Sequence, residues 1–170
     1  MSYTVKNIKT FNGMEGSGFN CNLYRDKTKI AEVINDASGG EPLFYWADQE
    51  APRVETNGVD YKDEPKIYKD TPEESLFRTH CLGLPKWDCN GTMVHTDMDL
   101  YIEELVNQKL MSQNLKLKLK KIMLYEDGKF SSYKIEPTTD HIKAVRKRHP
   151  DAIILNQLAF TEALELWGQS

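Results

Sequence analysis

The sequence predicts an α+β domain that opens with an antiparallel four-strand meander and continues with a helix, a β-hairpin, a helix and a short C-terminal strand and helix. Two patterns carry this prediction. The first 46 residues alternate apolar and polar side chains between turn residues, and later segments space apolar residues at helical intervals. With 170 residues the chain can bury roughly two-thirds of its unfolded surface, so a single domain over 1–170 is expected.

The meander is predicted from four short segments. Residues 3–11 and 18–25 flank a glycine-containing turn, and the second segment alternates Phe19, Cys21 and Leu23 with polar side chains. Polar turns then separate 29–34 and 43–46. These segments therefore predict four consecutive antiparallel strands.

The segment 48–75 is acidic and lacks apolar periodicity. It is predicted to be a long excursion that joins two sub-lobes, 1–47 and 76–170. Between residues 75 and 94 the apolar residues follow no clear period, which predicts irregular structure with a short helix near its start.

Thr96 is predicted to cap a helix over 97–111. Beyond it, Leu115, Leu117 and Leu119 alternate with lysines, so the segment 115–124 is predicted to be a strand with a bulge at 120–121. Asp127-Gly128 predicts a turn that pairs 129–135 back onto that strand.

The C-terminal part is predicted to contain two further helices. Thr138 or Thr139 caps the first, which ends in a basic turn and is stopped by Pro150. Residues 152–155 form a short buried strand, and Asn156 caps the last helix.

Composition limits the classes of function. The net charge of −4 gives no overall field that would attract or exclude nucleic acid. No segment approaches the roughly 20 apolar residues of a membrane span, and the N-terminus lacks the apolar core of a signal peptide. Three cysteines favour a reducing compartment over a disulfide framework. The expected location is the cytoplasm.

Four side chains are weak candidates for a metal site. His80, Cys81, Cys89 and His95 carry donor groups that suit zinc. Their spacing differs from the close pairs of structural zinc sites, so core or surface roles are favoured and neither a metal nor a cofactor is predicted. A Cys-His nucleophile would need the thiol and an imidazole to meet in the fold.

A nucleic-acid-binding surface is the second hypothesis. Lysines alternate along the predicted strand and more cations end the following helix, namely Lys116, Lys118, Lys120, Lys121, Arg146, Lys147 and Arg148. Tyr125, Phe130 and Tyr133 could stack on bases from the same hairpin. The favoured alternative is an exposed sheet face whose lysines block edge pairing, with helix-end cations complementing the dipole.

Two other patterns favour simple explanations. Gly13, Gly16 and Gly18 lie between two strands, as in the phosphate-covering loop of protein kinases, but the other kinase motifs are missing from the sequence. A flexible turn is therefore favoured there. The acids of 48–74 could mimic a nucleic-acid backbone, but interspersed cations favour a solvated loop.

Four N-terminal segments together resemble the opening of small uncharacterised proteins encoded by tailed bacteriophages: 5–11, 18–20, 23–26 and 35–40. The resemblance covers about the first 46 residues and extends less clearly to the helix at 97–111. It implies a protein made in an infected bacterial cytoplasm and carries over no activity or site residue.

The leading functional expectation is a non-enzymatic accessory protein that binds a host or phage macromolecule and counteracts a host defence. Its contact surface is predicted to include the exposed aromatic residues Tyr45, Trp46 or Trp87, or the acidic excursion. The alternatives are the nucleic-acid-binding module and an enzyme of unrecognised type. The sequence predicts no oligomeric state.

Overall fold

The computed structural model describes residues 1–60, 62–89 and 91–169. Their strands are β1 Tyr3–Gly13, β2 Gly16–Arg25, β3 Thr28–Asn35, β4 Leu43–Trp46, β5 Val54–Val59, β6 Pro65–Asp70, β7 Trp87–Cys89, β8 Thr92–Val94, β9 Ile122–Glu126, β10 Lys129–Tyr133 and β11 Ile153–Ile154. The helices are α1 Pro72–Leu82, α2 Met98–Lys118, α3 Thr139–Arg148 and α4 Phe160–Trp167, and a 3-10 turn spans Leu155–Gln157. The α+β class is confirmed.

The chain divides into two compact units, unit 1 over Met1–Val106 and unit 2 from Asn107 onward. Helix α2 begins in unit 1 and ends in unit 2. None of the helices in the described part of the chain has the length and apolar character that a membrane crossing requires.

Unit 1 contains the predicted meander. Its four strands are antiparallel in the order β1-β2-β3-β4. The alternation seen in the sequence gives the sheet one buried face, where Val5, Leu23 and Val33 are almost fully enclosed. The other face is exposed and polar, with Asn20 and Glu32 among its residues.

Helix α1 covers the buried face with Phe77, which is fully enclosed. The Phe77 ring centroid lies 4.9 Å from that of Tyr3 and 6.0 Å from those of Phe44 and Trp46. Tyr101 of α2 contributes a further ring at 5.7 Å. This aromatic cluster is the centre of the unit 1 core.

The prediction of a structureless excursion over 48–75 is wrong for much of that segment. β5 pairs with β6 over six residue pairs, from Val54↔Asp70 to Val59↔Pro65. Asp60 orders the connecting turn, because its Oδ1 accepts from the N–H groups of Lys62 and Glu64. Two strands whose faces are exposed can pair through their backbones without alternating apolar and polar residues. The hydrophobic pattern of the sequence therefore did not predict these strands. In residues 75–94 the short helix predicted near the start is present as most of α1, but the small hairpin β7–β8 replaces the irregular structure predicted there.

Unit 2 is built around a three-stranded sheet in the order β10-β9-β11. On one face Ile122, Leu124 and Ile154 pack with Val145 of α3. On the other face Met123 packs with Leu115 of α2, with Leu155 of the 3-10 turn and with Ala163 of α4. Both faces of this sheet are therefore covered by helices.

The strand predicted over 115–124 is partly wrong, because 115–118 belong to helix α2 and β9 begins only at Ile122. Leu119 N–H donates to Leu115 O at 2.8 Å, a helical interval, whereas Leu117 is 62% exposed. Leucine and lysine both favour helices, so the alternation of residue types was misleading. The hairpin turn at Asp127-Gly128 is confirmed by the pairing of β9 with β10.

One of the two predicted threonine caps is present in the structure and the other is not. Thr138 caps α3 as predicted, accepting from His141 N–H at 3.3 Å. The cap of α2 is Asp97, which accepts from Leu100 N–H at 2.8 Å, whereas Thr96 donates its hydroxyl to Pro85 O. Both side chains can cap a helix, but Thr96 is buried and its hydroxyl is used by the Pro85 carbonyl.

Asn156 does not cap α4, which begins after Ala159. Its Nδ2 donates to the carbonyls of Leu119 and Lys121, and its Oδ1 accepts from Met123 N–H at 2.8 Å. This one amide therefore holds the connection between α2 and β9.

Candidate functional site

Unit 1 contains a cavity of about 520 Å³ that is partly open to solvent. Its walls come from the start of β4, the hairpin β5–β6, helix α1 and the segment that enters α2. Five carboxylates line it: Glu41, Asp60, Asp63, Asp97 and Asp99. Because these acids lie far apart in the sequence, only the fold brings them to one cavity.

Arg78 and Tyr68 form one wall of the cavity. The Arg78 guanidinium lies 3.8 Å from the centroid of the Tyr68 ring and donates to both carboxylate oxygens of Asp70 at 2.8 and 3.1 Å. It also lies 3.4 Å from Glu74. Asp70 and Glu74 are not cavity residues, so the charge of Arg78 is already compensated from outside the cavity.

Three of the cavity acids have donors of their own. Asp60 accepts two backbone N–H groups in its turn, and Asp97 caps α2. Lys86 donates to Asp63 at 2.8 Å, and this hydrogen bond lowers the pKa of that carboxyl. These three acids therefore have structural roles as well as lining the cavity.

Asp99 and Glu41 differ from the other acids, because neither side chain accepts a hydrogen bond from another described residue. Burial, together with the negative charges of Asp97, Glu41 and Glu103, raises the pKa of Asp99 to about 7. Arg78 opposes this shift only in part. The cavity therefore holds a carboxylate whose ionised form lacks a compensating cation.

Lys66 and His95 supply the other polar groups of the lining. Lys66 Nζ lies 4.7 Å from the Tyr68 ring centroid, and the buried His95 Nδ1 has no hydrogen-bond partner among the described residues. Five carboxylates against Lys66 and Arg78 leave the lining with an excess of negative charge. Such a cavity favours a cationic group.

Cys81 also lines the cavity but is fully buried, and burial raises the pKa of its thiol to about 12. The nearby His80 instead places Nε2 3.3 Å from the Tyr101 hydroxyl. A protonated thiol is a poor nucleophile, so the hypothesis of a Cys-His pair gains no support at this position.

The weak zinc candidates are not brought together as a ligand set. Cys81 is buried, Cys89 is exposed on β7, and His95 faces the cavity. Within residues 1–60, 62–89 and 91–169 no three His, Cys, Asp or Glu side chains are grouped so that they could hold a metal ion. The carboxylates of the cavity are too dispersed to count as such a group.

The predicted aromatic contact residues lie in two different environments. Trp46 was expected to be exposed, but only 7% of it is, because β4 turns it into the core, where it stacks on Phe44 at 5.4 Å. Tyr45 on the same strand is 49% exposed and Trp87 is 39% exposed. Their role as contact residues stays a prediction.

The predicted basic surface lies in unit 2, but it is not a strand face. Lys116 and Lys118 are on the last turn of α2, and Lys120 and Lys121 follow it. Two residues apart on a helix, the first pair points in widely different directions. All four side chains are exposed.

The three cations at the end of α3 have different environments. Arg146 donates to the carbonyl of Ala152 and to Gln157, so it stabilises unit 2. Lys147 and Arg148 are exposed.

The aromatic residues proposed to stack on bases pack inside unit 2 instead. The Phe130 ring lies 4.8 Å from that of Tyr125 and 4.7 Å from that of Trp167. Tyr133 packs against the other core cluster, and its hydroxyl lies 2.8 Å from His149 Nε2. The prediction of a stacking platform is therefore not supported.

Sequence reasoning missed the cavity. It assigned Asp97 and Asp99 to the first turn of a helix, and Asp60 and Asp63 to a solvated loop. The spacing of these residues contains no signal of a shared site, since they meet only after β5 and β6 pair. No protein-family model, curated protein or solved structure matches the chain.

Proposed function

We propose that this protein is a non-enzymatic binding protein, an accessory protein of a tailed bacteriophage, that binds a protein of the host or phage through its unit 1 cavity. The proposed ligand group is a lysine or arginine side chain of that partner. The observation that carries the proposal is the half-buried carboxylate of Asp99, which lines the cavity near Asp97 and Glu41 and accepts no hydrogen bond from another described residue. Counteraction of a host defence is the proposed consequence of this binding.

The charge of Asp99 supplies the physical reason. A partly buried carboxylate is costly to ionise unless a cation or hydrogen-bond donors accompany it. An ammonium or guanidinium group in the cavity would supply both and would return the pKa of Asp99 toward its ordinary value. Binding of the cation and release of a proton from Asp99 are therefore linked.

The apolar part of the lining suits the rest of such a side chain. Phe44, Leu82 and Met98 line the cavity together with the acids. The methylene stems of lysine and arginine commonly bury along apolar surfaces while their charged ends meet polar groups. The cavity offers both kinds of contact.

Two peptides that differ in one charge test the proposal. The N-acetylated peptide acetyl-Gly-Gly-Lys-Gly-Gly should bind in titration calorimetry at pH 8 and low salt, and the same blocked peptide with acetylated lysine should not. Asp99→Asn should abolish the difference, whereas Asp151→Asn, an exposed acid of unit 2, should preserve it. Equal heats for both peptides would contradict the proposal.

Affinity capture from infected cells tests the biological part. The unaltered protein should recover a partner that Asp99→Asn recovers poorly. Repeated recovery of nothing, or equal recovery by both forms, would count against a macromolecular partner bound through this cavity.

A second candidate is a nucleic-acid-binding module in unit 2. Its support is the net charge of +4 from residue 107 onward and the exposed side chains of Lys118, Lys120, Lys121, Lys147 and Arg148. Binding should weaken steeply with salt, and the double substitution Lys118→Glu and Lys120→Glu should reduce it. Salt-independent or undetectable binding to single- and double-stranded DNA would remove this candidate.

An enzyme of unrecognised type would best use three residues of unit 2. Tyr133 Oη lies 2.8 Å from His149 Nε2, and His149 Nδ1 lies 2.9 Å from Glu126 Oε2. This order of hydroxyl, imidazole and carboxylate can activate an oxygen nucleophile. Labelling of Tyr133 by an aryl sulfonyl fluoride, lost in His149→Gln, would support it, and labelling no faster than that of Tyr45 would oppose it.

A further inference from the structure

The exposed face of the unit 1 sheet carries two rows of side chains across the strands. The register of the four strands places Lys6, Asn22, Glu32 and Tyr45 side by side. The next row is Lys9, Asn20, Ile34 and Leu43. Two amides therefore lie at the centre of the face, with lysines toward one edge and Tyr45 and Leu43 toward the other.

A groove of about 480 Å³ lies on this face. Its polar lining is Asn7, Lys9, Asn20, Asn22 and Glu32. Within the described chain, the three amides and Lys9 make no side-chain hydrogen bond to another residue. Each amide offers two N–H donors and one carbonyl acceptor, so the groove presents a dense set of unused hydrogen-bonding groups.

The backbone at Asn7 adds a second observation. The pairing of β1 with β2 shifts between Lys6 and Lys9, and Asn7 within this bulge has φ of 55°. Left-handed backbone is unfavourable for most residues other than glycine, and asparagine tolerates it better than most. A bulge redirects side chains, and here Asn7 joins the lining of the groove instead of continuing the alternation of β1.

The charge of the groove selects the ligand class. Lys9 and Glu32 contribute one charge of each sign, and Glu32 is also bonded to Lys29. Unit 1 as a whole has a net charge of −8, which disfavours a polyanion such as a nucleic acid. Convergent amides without excess charge match the alternating donors and acceptors of adjacent hydroxyl groups.

We infer that this groove binds a neutral carbohydrate. The amides of Asn7, Asn20 and Asn22 donate to and accept from sugar hydroxyls. Tyr45 does not line the groove, but it lies beside the lining residue Glu32 on the neighbouring strand, where its exposed ring can contact the apolar face of a sugar ring. This site uses the face of the sheet opposite to the one that α1 covers, so it is independent of the proposed cation site in the cavity.

Nuclear magnetic resonance gives a direct test, because asparagine side-chain amides have their own resonances. Maltotriose, cellotriose and chitotriose are each added at millimolar concentration to the full chain. At least one should shift the side-chain signals of Asn20 and Asn22 in a saturable way. The double substitution Asn20→Ala and Asn22→Ala should weaken that binding at least about tenfold.

Asn57→Ala is the matched control, since Asn57 is an exposed strand amide outside the groove, and it should leave the affinity unchanged. Preserved dispersion of the backbone signals shows that each variant is folded. The inference is overturned if none of the three sugars shifts these amides. It is also overturned if an octathymidylate shifts them more strongly than any sugar does.

Discussion

The two units differ in charge and in how completely their polar groups are used. Unit 1 has 19 acids against 11 lysines and arginines, and unit 2 has 7 acids against 11. The buried side-chain atoms found without partners in the described chain all lie in unit 1: Asp48 Oδ1, Thr56 Oγ1 and His95 Nδ1. Of these three residues only His95 lines the cavity of unit 1.

The sheets show the same difference. Helices cover both faces of the unit 2 sheet, whereas α1 covers one face of the unit 1 sheet and leaves the other to solvent. In unit 2 the polar residues near the core are engaged, as Asn156 illustrates with three hydrogen bonds. The sheet of unit 1 therefore exposes one polar face, whereas the sheet of unit 2 is packed on both faces.

Removing the central ring of unit 1 should have the largest effect. Phe77→Ala deletes a fully buried side chain and should cost about 3–5 kcal/mol of unfolding free energy. Since the aromatic contacts of Phe77 are with unit 1 residues, native-state hydrogen exchange should accelerate more in β2 and β3 than in β9.

Two further substitutions complete this experiment. Leu124→Ala in unit 2 should show the reverse pattern, and Leu76→Ala, 40% exposed beside Phe77, should cost much less. Equal acceleration of hydrogen exchange in both units after Phe77→Ala would mean that the chain opens as one cooperative body. The two units would then differ in structure but not in stability.

The pH dependence of stability should be the next largest effect. Asp99 has a pKa near 7 in the folded chain against 3.8 as its ordinary value, because of burial and the nearby charges of Asp97, Glu41 and Glu103. The folded state therefore binds more protons than the unfolded state between about pH 4 and pH 7, and stability falls as the pH rises through that window. Three pKa units set an upper bound of about 4 kcal/mol on this loss.

Asp99→Asn should remove that loss. We expect it to raise the unfolding free energy at pH 8 and to leave it nearly unchanged at pH 4, as measured by urea denaturation. Asp151→Asn should have little effect at either pH. An Asp99→Asn variant no more stable than the original at pH 8 would show that the cavity acids are already compensated.

The elements that could be predicted are those specified by residues close together in the sequence. The meander strands, the Asp127-Gly128 turn and the Thr138 cap each depend on residues close in sequence, and each is confirmed. The errors occur where one pattern fits two structures. Leu115 and Leu119 suit a helix as well as a strand, and the charges of β5 and β6 hide a hairpin whose faces are largely exposed.

The candidate sites were less predictable for a physical reason. The cavity joins Glu41 to Asp60 and Asp99, and the sheet groove joins Asn7 to Asn22 and Glu32. Neither set has a characteristic spacing, since strand register and hairpin pairing create both. Tyr45 was predicted from the sequence as an exposed aromatic contact residue, whereas the asparagines of the groove were not singled out.

The helix caps offer the smallest and finest comparison of the two units. Thr71 of unit 1 is fully buried and forms a reciprocal box with Glu74, with bonds of 3.2 and 3.3 Å, whereas exposed Thr138 of unit 2 accepts a single bond of 3.3 Å. Thr71→Ala should therefore cost about 1–2 kcal/mol and Thr138→Ala about 0.5–1 kcal/mol. Urea denaturation of Thr71→Ser and Thr138→Ser, which keep the hydroxyl, should show most of each loss restored. A larger cost at Thr138 would mean that unit 2 depends on its exposed caps more than its doubly covered sheet suggests.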